Sequence, residues 1–298
     1  MKSYPFKKID AFTSGTSAGN PAGCVYLSKT GDISEEEMQL IARELKGYVN
    51  EVVYLFPEKD GIFLKYYSSE CEVDFCGHGT IAVMYDYIGT HSALLDRNMV
   101  KIRVKDEHLD VLNRLTDEGS VYITSPEPRY NALNLSIAEM TAALDIKPGA
   151  IGYSWVPALI NAGLNTLIVP ISGLSACLEI KPGEMKLKGF CLDNGIDIVL
   201  VFTQETADKN NGFRTRVFAP KFGYLEDPAT GSGNSAFGYY LLKQGAWEGG
   251  TLNLEQNNSL NNPNIVKLSA VKRDGGARVL FGGAATVKIE GRYKLAVP

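Results

Sequence analysis

Residues 76–82 read Cys-Gly-His-Gly-Thr-Ile-Ala, and residues 230–236 read Thr-Gly-Ser-Gly-Asn-Ser-Ala. At an offset of 154 residues they share Gly77/Gly231, Gly79/Gly233 and Ala82/Ala236, and Tyr85/Tyr239 follow in step. A second echo, at offset 146, sets Asn50-Glu51-Val52-Val53-Tyr54-Leu55-Phe56 above Ile196-Asp197-Ile198-Val199-Leu200-Val201-Phe202. The order of elements around these stretches repeats too. An internal repeat of this kind predicts two similar domains, each with a glycine-rich loop leading into a helix. Ser125-Pro126-Glu127-Pro128 reads as the connector. The first domain is therefore expected over residues 1–125 and the second over 126–279.

Working outward, glycine punctuates short β-type runs such as FKKIDAF, GCVYL, EVVYLF, IFLKYY, KIRVK and VYIT in the first half. The second half offers TLIVPI, DIVLVF, RTRVFA, IVKLSA, RVLFGG and TVKIEG. Helices are fewer. Ser34–Leu45 and Ser136–Leu144 each open with Ser and carry Glu three residues on, a capping-box pattern. Two more helices are expected to begin near Gly79 and Gly233. Many strands with a few helices predict an α+β fold. The 298-residue length suits two domains, since single cores stop growing near roughly 250–300 residues.

The composition is that of a globular chain, 45% hydrophobic and 21% charged. Thirty Lys and Arg against 34 Asp and Glu give a net charge of −4, which argues against a nucleic-acid partner. No apolar run approaches the roughly 20 residues of a spanning helix, and no apolar signal core follows the first lysines. A cytoplasmic protein with no membrane partner is expected. Five cysteines without CxxC spacing and three scattered histidines predict neither a disulfide framework nor a metal site.

A glycine-rich turn feeding a helix leaves backbone N–H groups aimed one way at the positive end of the helix dipole, which suits an anion. Two such loops would clamp a carboxylate, or the enolate formed beside one. Neither is a phosphate loop, because no Gly-Lys-Ser/Thr follows, and neither fits a dinucleotide fingerprint. The side chains available for chemistry are Glu51, Cys76, His78, Glu226 and Asp227. Glu51 opens a run expected to be buried on both faces, which would desolvate its carboxylate, raise its pKa and fit it to carry a proton. His78 would sit at a helix N-terminus as neutral imidazole. Cys76 reads either as a small buried hydrophobe or as a participant.

Four segments carry a resemblance: DAFTSGTSAGNPAGCVYL at Asp10–Leu27, NEVVYLF at Asn50–Phe56, VDFCGHGTIA at Val73–Ala82 and FAPKFGYLEDPATGSG at Phe218–Gly233. In order and spacing over nearly the whole chain, the sequence resembles the phenazine-biosynthesis-like (PhzF) family of the diaminopimelate epimerase-like fold. The resemblance implies two pseudo-symmetric domains, each a curled mixed β-sheet around a central helix, with the C-terminal segment 280–298 returning to the first domain. It implies a cofactor-independent, general acid/base isomerase whose site lies in the cleft between the domains. It places the family's acid/base glutamate on Glu51, its partner histidine on His78 and its aspartate on Asp227. Asn20, Cys76, Gly77, Thr230, Gly231 and Ser232 fall at substrate-binding positions. No metal is implied, and a homodimer is the family tendency.

Departures qualify the chemistry. Racemases of the same fold use two cysteines, one per loop, to reach both faces of a carbon. Here Cys76 fits the first position and Thr230 stands at the second, so the two-thiol mechanism is not expected. The glutamate segment reads Asn50-Glu51-Val52 where many members have Ser-Glu-Thr, and Asn261-Asn262-Pro263-Asn264 replaces a usual Gly-Arg-Pro-Ser. Three readings follow. The first is an isomerase moving a proton within a small cyclic or acyclic carboxylate. The second is a single-thiol epimerase or dehydratase of an amino or imino acid using Cys76. The third is a silent carboxylate-binding protein.

Overall fold

The computed structural model describes residues 1–152, 154–273 and 276–296. The chain forms two compact units, Met1–Thr124 with Gly282–Pro298, and Ser125–Phe281. The fold is α+β throughout, of the diaminopimelate epimerase-like kind.

The first unit contains β1 (Lys2–Ala11), β2 (Asn20–Tyr26), helix α1 (Glu35–Glu44), β3 (Glu51–Glu58), β4 (Gly61–Ser68), β5 (Glu72–Val73), α2 (Gly77–Thr90), the short α3 (Ser92–Leu95), β6 (Met99–Val104), β7 (Glu107–Arg114), the short α4 (Leu115–Glu118) and β8 (Ser120–Thr124). β1 lies antiparallel between β2 and a returning strand, Ala285–Leu295. β2 and β3 are parallel, β3 and β4 antiparallel, β4 and β6 parallel, and β6 and β7 antiparallel. β5 adds a two-residue ladder to β4.

The second unit contains β9 (Arg129–Asn131), α5 (Ile137–Leu144), β10 (Ala158–Asn161), β11 (Asn165–Pro170), α6 (Leu174–Glu179), α7 (Glu184–Asp193), β12 (Ile198–Thr203), β13 (Phe213–Phe218), β14 (Glu226–Asp227), α8 (Gly231–Lys243), β15 (Leu252–Gln256), β16 (Asn264–Arg273) and most of β17 (Gly276–Gly283). Its pairings run through the same series of orientations. β9, β10 and β11 are antiparallel neighbours, β11 and β12 parallel, β12 and β13 antiparallel, β13 and β15 parallel, and β15 and β16 antiparallel. β14 pairs with β13 as β5 does with β4. The repeat read in the loops thus extends over each sheet.

Both expected capping boxes form. Ser34 and Ser136 each accept the N–H of the glutamate three residues on, and each glutamate returns a bond to the cap backbone. α1 is amphipathic and buries Met38, Ile41 and Ala42 against Tyr54, Phe56 and Phe63. α2 and α8 differ in kind. Gly79 through Met84 of α2 are all buried, as are Gly233 through Leu241 of α8, which marks each as a core helix. α2 packs on β1, β2, β3, β8 and the returning strand, so the sheet curls around it. Each fully buried Ile81, Val83, Met84 and Ile88 contributes roughly 1.5–3 kcal/mol by leaving water. The two helices expected near Gly79 and Gly233 form, beginning at Gly77 and Gly231. Their glycines permit the approach: a Cβ on Gly79 would meet Val53 Cγ2 at 2.6 Å. No helix among the described residues is long and apolar enough to cross a membrane.

Candidate active site

Glu51 is the first residue of β3, where it lies beside Ala22 of β2 and Ser68 of β4. Two neighbouring strands hold its backbone, and the run behind it, Val52–Phe56, is buried. Cys76 is the N-cap of α2 and stays extended, with φ −126° and ψ 106°. Its sulfur accepts the Gly79 N–H at 3.4 Å, so the thiol stands where the helix backbone is most positive. Thr80 Oγ1 donates to the Cys76 carbonyl at 2.7 Å and also contacts Tyr66 Oη at 2.7 Å, which ties the cap to β4.

His78, the second residue of the helix, joins these groups. Its Nε2 lies 3.3 Å from Glu51 Oε2, and its Nδ1 lies 3.5 Å from Cys76 Sγ. The side chains of His78 and Glu51 are only 12% and 18% exposed, and Cys76 is buried. The His78 ring also bonds the backbone of Pro21. Proline has no N–H, so the ring donates and the Pro21 carbonyl accepts. The start of β2, Asn20-Pro21, thereby enters the site. Burial depresses the imidazole to a pKa of about 4, against the opposing pull of that carbonyl. The direction agrees with the reading of a neutral imidazole. The main cause is burial, where the sequence pointed to the helix dipole.

The ligand atoms of Glu51, Cys76 and His78 all lie within 4.8 Å of one another. A carboxylate, a thiol and a neutral imidazole at this range can pass a proton and hydrogen-bond a developing anion. They are also donors that a cation could use. Counting histidines in search of a metal pair overlooked this mixed set.

The second unit treats its matching loop differently. Thr230 is the N-cap of α8, with nearly the same backbone, φ −123° and ψ 114°. Its hydroxyl donates to Asp227 Oδ2, and its N–H donates to Gln256 Oε1 at 2.9 Å. Gln256 Nε2 bonds Thr230 Oγ1 and the Asp227 carbonyl. Asn234 Nδ2 donates to the Thr230 carbonyl at 2.8 Å, as Thr80 does to Cys76 in the first unit. Asp227 is buried, and Gly231 and Ser232 are the first two residues of the helix. Glu226 is held in two bonds by Arg216, so its carboxylate serves structure. The Glu51 counterpart in the echo, Asp197, accepts from Lys221 Nζ at 2.5 Å and from the Asn165 N–H at 2.8 Å.

Within the first unit the structure gathers Glu51, Cys76 and His78; within the second it gathers Asp227, Thr230, Gly231 and Ser232. Sequence reasoning missed Gln256, Asn234 and the Pro21 carbonyl. Asn234 had a signal, since it aligns with Thr80 in the repeat. Gln256 had none. In the Asn261–Asn264 segment, buried Asn264 donates to the Pro228 carbonyl at 2.8 Å, under the loop before α8.

Comparison with known proteins gives a consistent answer. The sequence profile of the family described as "Phenazine biosynthesis-like protein" matches residues 9–291. The uncharacterized isomerase YfhB of Bacillus subtilis is 28% identical over 294 residues, covering 96% of this chain and 97% of its own. The crystal structure of a PhzF-family phenazine biosynthesis protein from Bacillus anthracis superposes with a TM-score of 0.87 at 24% identity, covering 99% of this chain and all of that one. A hydroxyproline epimerase from Agrobacterium vitis, solved with bound trans-4-hydroxy-L-proline, shares the fold at a TM-score of 0.63 and 14% identity, over 98% of this chain and 91% of its own.

Proposed function

Because this chain belongs to the phenazine biosynthesis-like family, we propose that it is an isomerase that shifts a proton within a small carboxylate or amino-acid-like substrate, with Glu51 as the proton carrier. The 3.3 Å approach of His78 Nε2 to Glu51 Oε2, both side chains nearly buried, carries the reading. The Glu51 carboxylate takes a proton from a carbon next to a carboxylate or conjugated system. The electron pair moves into that system, and the resulting carboxylic acid returns the proton at another carbon on the same face. Glu51 is regenerated, so the balance needs neither redox partner nor organic cofactor.

The remaining roles follow from chemistry. His78 stays neutral, and with its one N–H on the Pro21 carbonyl its other ring nitrogen accepts from Glu51 while that carboxyl carries the proton. The N–H groups of Gly77 and His78 at the start of α2 suit the substrate's carboxylate. The reading extends to Asn20 in the first unit and to Asp227, Thr230, Gly231 and Ser232 in the second as further substrate contacts. It includes a homodimer in the cytoplasm, which light scattering and fractionation test. Relatives named as isomerases support the reaction class.

A second reading has its own observation. The Cys76 thiol, bonded by the Gly79 N–H and 3.5 Å from His78 Nδ1, has the surroundings of an activated sulfur, as a single-thiol epimerase or dehydratase would need. Turnover and solvent-deuterium incorporation for Glu51→Gln and Cys76→Ser, on any accepted substrate from a panel of cyclic and acyclic amino acids, decide between them. A normal Glu51→Gln enzyme beside a dead Cys76→Ser enzyme would transfer the role to sulfur.

A further inference from the structure

We propose that Glu51, Cys76 and His78 form a capture site for Zn2+, and that the ion blocks turnover. The argument is geometric. Zinc takes nitrogen, sulfur and oxygen ligands at about 2.0, 2.3 and 2.0 Å in a tetrahedron, so bound N and O atoms stand about 3.3 Å apart and bound N and S atoms about 3.5 Å apart. His78 Nε2 is 3.3 Å from Glu51 Oε2, and the two ring nitrogens are 3.5 and 3.8 Å from Cys76 Sγ. The nitrogen facing Glu51 is thus a tetrahedral edge from the carboxylate and about 0.3 Å beyond one from sulfur, and all three donors lie within 4.8 Å of one another, so small side-chain rotations complete the set.

The supports around the three donors fit a ligand set as well. Glu51 is fixed by strands on both sides. Cys76 is fixed by the helix cap and by Thr80. One ring nitrogen of His78 bonds the Pro21 carbonyl, the partner that orients many metal-binding imidazoles, and leaves the other for a cation. The small exposure of His78 and Glu51 gives entry from solvent. Carboxylate and thiolate together neutralise a dication, and the thiol proton leaves to solvent as the Zn–S bond forms. Three protein ligands leave a fourth position for water. In the second unit the matching positions are Asp197, Thr230 and Ser232, oxygen donors without a thiol.

Zinc here would hold Glu51, the group assigned as proton carrier, so the ion inhibits. Only this inhibitory half rests on the function proposed above. The binding half is read without substrate, by titrating metal-free full-length protein with Co2+ and following the thiolate-to-cobalt charge-transfer band in the near ultraviolet. One Co2+ per chain with that band is expected, bleached by one equivalent of Zn2+. Cys71→Ser removes an exposed cysteine outside the cluster and should keep the band. Cys76→Ser should lose it, and Glu51→Gln should bind Zn2+ at least tenfold more weakly in competition with a chromophoric chelator, each variant first shown folded by circular dichroism. Absence of the band in the wild type, or its survival in Cys76→Ser, overturns the site. With an accepted substrate, Zn2+ should stop turnover and a chelator restore it. Activity lost on chelation and regained with Zn2+ overturns the inhibitory role, while the cobalt band continues to report the site itself.

Discussion

The two helix starts, Cys76-Gly77-His78-Gly79 and Thr230-Gly231-Ser232-Gly233, share a backbone and differ in what their side chains are free to do. Both caps are extended to within a few degrees, and both second glycines press on the strand behind, Gly79 on Val53 and Gly233 on Ile198. Around the first cap stand a thiol, an imidazole and a carboxylate. Around the second, hydroxyl and amide groups from Thr230, Gln256 and Asn234 bond one another, and Asp227 accepts from Thr230. One loop holds groups that can change protonation. The other holds a neutral network around a single carboxylate. A duplicated scaffold thus keeps its helix-cap backbone in both copies, while a thiol, an imidazole and a carboxylate gather in one.

Four experiments press on that contrast. The largest effect should come from Glu51→Gln, which keeps shape but cannot ionise: turnover should fall about 10²–10⁴-fold with little change in substrate affinity, as read by steady-state kinetics and calorimetry. Cys76→Ser should keep most of the activity. If both variants lose activity equally, the carboxylate and thiol act as one unit.

Next is the pH dependence of stability. His78 has its folded pKa lowered from 6.5 to about 4, so between those values the unfolded chain binds the extra proton. Its contribution is present in full above pH 6.5 and is lost as pH falls through 4, a loss of about 3 kcal/mol. The wild type should lose that much more stability than His78→Asn across this window in urea unfolding. Ser232, at the matching position, does not titrate there, so Ser232→Ala should leave the profile unchanged.

Thr230→Val removes a hydroxyl between Asp227 and Gln256 and leaves both short of a partner. A cost of roughly 1–3 kcal/mol is expected in the urea midpoint. A neutral result would show that the second network is not the rigid counterpart described. The smallest effect is a difference between glycines. An added Cβ meets Val53 at 2.6 Å from position 79 but Ile198 at 3.1 Å from position 233. Gly79→Ala should therefore destabilise by ~1 kcal/mol more than Gly233→Ala, since overpacking typically costs about 1–3 kcal/mol.

The fold was largely legible because its determinants are local or repeated. Capping boxes at Ser34 and Ser136, β-rich runs such as Glu51–Phe56, and glycine loops at a fixed offset each carry their own physics. Elements without such signals were missed. β7 reads Glu-His-Leu-Asp-Val-Leu-Asn-Arg, with polar residues breaking its pattern, and α7 carries Gly189 inside a mixed sequence. In the site, Glu51, Cys76 and His78 could be named because they lie within the repeated segments. Their mutual distances could not, because residue 51 meets residues 76 and 78 only when β3 and α2 pack. Gln256 was invisible for the same reason, lying 26 residues beyond the Thr230 it bonds.

The returning strand Ala285–Leu295 has a meaning in time as well as in space. Lys2 pairs with Leu295, and the ladder runs from there to Ala11 and Ala285. At about 5–20 residues per second of synthesis, β1 emerges roughly 15–60 s before its partner. The second unit, continuous in sequence, is fully made before the first can close. Until then one edge of β1 stands open on the nascent chain. That edge carries Lys2, Pro5, Lys7 and Lys8, residues that discourage another strand from docking first.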